Sequence, residues 1–65
     1  MKRYQICSRA RTTGAVLTHM VADSPAEAVQ QAKNVASTGA REVQIFDSQT
    51  EKFYDVQSFA AAHRL

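Results

Sequence analysis

Ser24-Pro25-Ala26-Glu27-Ala28-Val29-Gln30-Gln31-Ala32-Lys33-Asn34-Val35-Ala36-Ser37, followed two positions on by Gly39, is the stretch that decides the fold. Ser24 suits a helix N-cap, where its hydroxyl accepts a backbone N–H that has no partner in the first turn. Pro25 suits the first helical position, where a missing N–H is no loss. Glu27 lies three residues after Ser24, where it completes a capping box and faces the positive end of the helix dipole. Together these features are worth about 1–2 kcal/mol. They predict a helix over Ala26–Ser37, stopped by Gly39, which adopts positive φ without cost. Ala28, Val29, Ala32, Val35 and Ala36 fall on one side of it, and Glu27, Gln30, Gln31, Lys33 and Asn34 on the other. The apolar side is mostly alanine, so this helix can lie close to a sheet whose strands supply the bulk.

Period-two segments flank the helix on both sides. Residues 3–9 alternate, with Tyr4, Ile6 and Ser8 on one face and Arg3, Gln5, Cys7 and Arg9 on the other. Arg11-Thr12-Thr13-Gly14 is a short polar link. Residues 15–22 form a second strand, joined to the first as an antiparallel hairpin. Simple alternation puts Val16 and Met20 on one face and Leu17 and Val21 on the other. A strand apolar on both faces is central, covered on both sides, or in contact with another subunit. After the helix, residues 41–47 alternate again, with Val43 and Ile45 opposite Phe46. Asp47-Ser48-Gln49-Thr50-Glu51 is a polar turn in which Asp47 can accept backbone N–H groups ahead of it. Residues 52–56 form a fourth strand. Ser58-Phe59-Ala60-Ala61-Ala62 predicts a short terminal helix capped by Ser58, pinned by Phe59 and Ala62, with His63 and Arg64 at its negative end.

The order is β-β-α-β-β plus a helical turn, which predicts an α+β domain spanning 1–65. Its sheet is four-stranded and largely antiparallel, with the main helix across one face. The other face is left to the short terminal helix and to a second copy of the chain, because the apolar residues of the second strand, Phe46 and either Phe53 or Tyr54 exceed what one thin helix covers. Size points the same way. The chain has 65 residues, and a domain of this length buries only about 60% of its unfolded surface. A single cysteine, Cys7, leaves no intramolecular disulfide to help and excludes a cysteine-rich zinc site.

Composition is that of an ordinary globular chain, 45% hydrophobic and 22% charged, which argues against disorder. No apolar run nears the roughly 18 residues of a membrane-spanning helix. Met1-Lys2-Arg3-Tyr4-Gln5 leads into polar alternation rather than an apolar block, so no secretory signal is expected there. These features suggest a cytoplasmic protein without membrane partners. The net charge of +2 is unevenly spread. Residues 1–22 hold Lys2, Arg3, Arg9 and Arg11 and no acid, whereas residues 23–65 hold four bases and six acids. Lys2, Arg3, Gln5, Arg9 and Arg11 are therefore the candidate contacts for nucleic acid or an acidic protein partner. The aromatic-rich signature of RNA-binding sheets is missing, and the helix is not basic enough to read a groove.

Catalytic constellations are sparse. Cys7 and His19 sit on adjacent strands, but nothing marks a nucleophile turn or an oxyanion site. His19 and His63 lack metal-ligand spacing, so no metal or other cofactor is expected. Asp47 and Asp55 bracket the second hairpin as surface turn acids, with no sequence reason for either to be buried. Gly14 and Gly39 are too isolated for a phosphate-cradling loop.

Ser24-Pro25-Ala26-Glu27-Ala28, with Ala32 and Ala36, followed by Gly39-Ala40-x-Glu42-Val43-x-Ile45, resembles a group of small uncharacterised bacterial ββαββ proteins, of the kind labelled domains of unknown function. The likeness covers about half the chain. It implies the fold and no activity. Glu51 or Lys52 stands where those proteins have a glycine in the last hairpin turn. A weaker similarity is to HicB-type antitoxins, whose Asp-Leu-Pro-Gly-Cys loop is lacking here. The expectation is a small non-enzymatic binding or regulatory module, homo-oligomeric and acting through an exposed sheet face. The alternative is a nucleic-acid-binding module that uses the basic first hairpin.

Overall fold

Two antiparallel hairpins on either side of one capped helix build the domain in a computed structural model that describes residues 2–10 and 12–65. The elements are β1 (Tyr4–Arg9), β2 (Val16–Ala22), α1 (Pro25–Ser37), β3 (Gln44–Asp47), β4 (Lys52–Asp55) and α2 (Val56–Ala62). The sheet order is β2-β1-β3-β4, and every pairing is antiparallel. The α+β class and the β-β-α-β-β order are as the sequence predicts. The strands are shorter than the patterning suggests, most of all β3, which begins at Gln44 rather than near residue 41. Glu42 just before it takes φ +51°, a left-handed conformation that no strand residue adopts.

The helix start behaves as its residues require. Ser24 is extended, and its Oγ accepts the Glu27 N–H at 3.2 Å. Pro25 opens the helix, one residue earlier than the predicted start. Gly39, at φ +94°, ends it. Ala28, Val29, Ala32 and Val35 are buried, but Ala36 is exposed, because the buried stripe runs out before the last turn. These small side chains meet Tyr4, Ile6, Ala22, Ile45 and Phe59 in a single core. Ile6 and Ile45 are the largest side chains fully enclosed.

The terminal helix is capped by a different residue from the one predicted. Asp55, not Ser58, is the cap: its carboxylate accepts the Ser58 N–H at 2.9 Å and the Ser58 hydroxyl at 2.8 Å. A carboxylate with two acceptor oxygens outcompetes a serine hydroxyl, which here donates to it. The bond from the Ser58 N–H is the main cause holding the Asp55 carboxyl below its ordinary pKa. The fourth strand therefore ends at Asp55, and the helix starts at Val56. Phe59 pins α2, while Ala62 is exposed and Ala60 is half-buried in its place.

The sequence left part of the second sheet face to this short helix. Instead, Phe59 packs edge-on against Tyr4 at 5.4 Å, and Tyr4 belongs to the same core as α1. Both helices lie on one face of the sheet.

Candidate functional site

Residues paired across neighbouring strands point to the same face of a sheet. One such row is Val21, Gln5, Phe46 and Phe53, running from β2 to β4. It lies opposite the row of Met20, Ile6, Ile45 and Tyr54, two of whose members, Ile6 and Ile45, are in the core beneath the helices. The first row thus lies on the helix-free face. Phe46 and Phe53 pack there with ring centroids 4.8 Å apart and planes tilted by 48°. Phe53 and Val21 are each 45% exposed. Gln5, a candidate contact by sequence, is half-buried between Phe46 and Val21.

The second exposed apolar feature is the edge. β2 is neither central nor covered on both sides: it is an outer strand, and Val16, Leu17, Met20 and Val21 are all exposed. A β-bulge changes how its residues divide between the faces. Met20 pairs with Ile6, but Thr18 pairs with Cys7, so His19 is the extra residue. Val16 and Val21 oppose Arg9 and Gln5, which share one face of β1, while Leu17 and Met20 oppose Ser8 and Ile6, which share the other. This corrects the expected grouping of Val16 with Met20 and Leu17 with Val21. His19 is held by a 2.6 Å hydrogen bond between its Nε2 and the Ser8 Oγ. Simple alternation contains no signal for that contact. Cys7, on the strand next to His19, has its Sγ 3.7 Å from the Thr18 hydroxyl and 3.8 Å from the Gln5 carbonyl oxygen.

Each described basic candidate faces a carboxylate. Lys2 Nζ is 2.6 Å from Asp23, and that bond raises its pKa. Arg9 Nε is 3.7 Å from Glu42. Arg3 makes the strongest pair, with Nε at 3.1 Å and a terminal nitrogen at 2.9 Å from the two oxygens of Asp47. The guanidinium also lies 5.1 Å from the Tyr4 ring centroid. Arg11 lies outside the described residues. Asp47 is 4% exposed, against the expectation of a surface acid. Burial is tolerated because Arg3 bonds both oxygens and the Gln49 N–H donates to Oδ1 at 2.9 Å. Chiefly through the Arg3 bond, the Asp47 carboxyl is held below its ordinary pKa against the opposing effect of burial. Arg3 is therefore a structural clasp between the start of the chain and the end of β3.

A depression of about 320 Å³ lies at the tip of the first hairpin, lined by Arg9, Ala10, Gly14, Arg41 and Glu42. It contains neither Cys7 nor His19. Among the described residues there is no cluster of three potential metal ligands, and no helix is long and apolar enough to cross a membrane. Comparison with family models, with curated proteins and with solved structures gives no match to this chain.

Proposed function

We propose that the chain is a non-enzymatic binding module that associates with itself through the apolar edge and open face of its sheet. The observation that carries this is the exposure of Val16, Val21 and Phe53 on the helix-free face and of Leu17 and Met20 at the outer edge of the other, each at least 39% accessible. Fully burying such a side chain is worth about 1.5–3 kcal/mol, so covering the half still exposed contributes about 1 kcal/mol each, which five together raise well above a surface ion pair. A 65-residue chain without a disulfide has only a small core, which gives it reason to gain burial from another molecule.

Light scattering across a dilution series tests this. The expected result is a weight-average mass above the 7.2 kDa of one chain that falls on dilution. A constant single-chain mass up to millimolar concentration contradicts it.

A further inference from the structure

We infer that the partner at the β2 edge is a second copy of this chain, paired antiparallel about a two-fold axis that passes between Thr18 and His19, so that the two sheets become one of eight strands. This deepens the function proposed above and rests on it.

The first ground is the unprotected edge. An outer strand offers unpaired N–H and C=O groups, and natural sheets blunt such edges with charge, proline or short length. β4, the other edge, has only four residues and is bounded by Lys52 and Asp55. β2 has seven, Val-Leu-Thr-His-Met-Val-Ala, with no formal charge and no proline. An edge without lysine, arginine, aspartate or glutamate offers no ion pair to a charged ligand, and two copies set no such like charges together along the strand. Two ion pairs lie near its ends: Lys2 with Asp23 beside Ala22, and Arg9, opposite Val16, with Glu42. Antiparallel pairing sets one of these ion pairs beside the other.

The second ground is the bulge. A bulge is itself a way to blunt an edge, but here it makes the strand complementary to itself. Around an axis between Thr18 and His19, Val16 meets Val21 of the second copy and Leu17 meets Met20. Antiparallel partners must share a face. In a regular strand, residues five apart, such as Val16 and Val21, lie on opposite faces, as do Leu17 and Met20 at three apart. The extra residue at 19 removes both conflicts. Val16 and Val21 share the helix-free face, and Leu17 and Met20 share the other. All four are exposed and apolar in the single chain, at 43%, 45%, 51% and 39% respectively. The helix-free faces then join into one surface that carries Phe46 and Phe53 from each copy.

Cysteine trapping tests the register in a Cys7→Ala background. Leu17→Cys and Met20→Cys chains are mixed and oxidised. Opposed residues of an antiparallel pair lie roughly 5 Å apart, within disulfide reach. Two copies of position 17 lie three residues apart along the strands, roughly 10 Å, beyond reach. The expected result is a covalent dimer several-fold more abundant in the mixture than with either chain alone. The pair Val16→Cys and Val21→Cys repeats the test on the other face should a position-17 or position-20 variant fold poorly, as judged by circular dichroism. Equal yields from mixed and single chains overturn the inference, as does a dimeric mass without cross-linking at either pair. Both of those outcomes leave the binding-module reading standing. A single-chain mass for the parent protein removes both.

Discussion

Phe59→Ala is expected to cost about 3–5 kcal/mol, the usual range for emptying a buried phenylalanine site. A chain of this length has only about 3–10 kcal/mol of stability in total, so the loss is about a third of it or more. Phe59 is the one buried residue of α2 and is 2% exposed. Its ring meets Tyr4 at 5.4 Å edge-on, Tyr54 at 5.9 Å and the imidazole of His63 at 4.5 Å. Truncation leaves a cavity where the two helices and the sheet converge and removes what holds α2 down. Ala62→Ser, on the exposed side of the same helix, is expected to change stability by no more than about 0.5 kcal/mol. Urea unfolding followed by circular dichroism gives both values. Similar midpoints for the two variants contradict this packing.

Asp47→Ala is expected to cost about 2 kcal/mol, below the full penalty for breaking a wholly buried ion pair because the Arg3 side chain is 39% exposed and rehydrates. Asp47→Asn retains an acceptor for the Gln49 N–H and loses only the charge, so it is expected to cost about half as much. The folded-state pKa of Asp47 is lowered, chiefly by the Arg3 bond, so its contribution is fully present above the ordinary carboxyl value of 3.8. It is lost as pH falls through the lower folded value. Wild type and Asp47→Asn should therefore differ at pH 7 and converge in strong acid. A difference that persists unchanged below pH 3 would show that the carboxylate is not what Arg3 holds. Because Arg3 completes this pair, Arg3→Ala should destabilise the fold as well, which makes it a poor probe of nucleic-acid contact.

Local chemistry explains which features were legible in the sequence. Ser24, Pro25 and Glu27 mark a helix start within four residues, and Gly39 marks its end, so α1 and the hairpins around it could be read without tertiary information. Asp55 and Ser58 both suit an N-cap, and only the geometry of the carboxylate decides between them. Glu51 at φ +56° takes a left-handed turn position that favours glycine, so the turn forms there without its usual marker. The Arg3–Asp47 clasp joins positions 44 apart and leaves no local trace. The bulge at His19 is the costliest omission. One inserted residue reverses the face of every residue beyond it, so counting by twos gives the wrong partners for Val16 and Leu17. The apolar surplus of β2 was legible; its self-complementary arrangement was not.

Backbone amide exchange measured residue by residue at a low and a high protein concentration probes the β2 edge most directly. Every second N–H of an outer strand points away from its neighbour and exchanges freely unless another strand caps it. The expected result is that the outward amides between Val16 and Val21 gain protection as concentration rises, while those of Lys52–Asp55 on the opposite edge stay unchanged. Protection on β2 that is the same at both concentrations, or a gain confined to β4 or to the helices, would contradict a working surface at this edge.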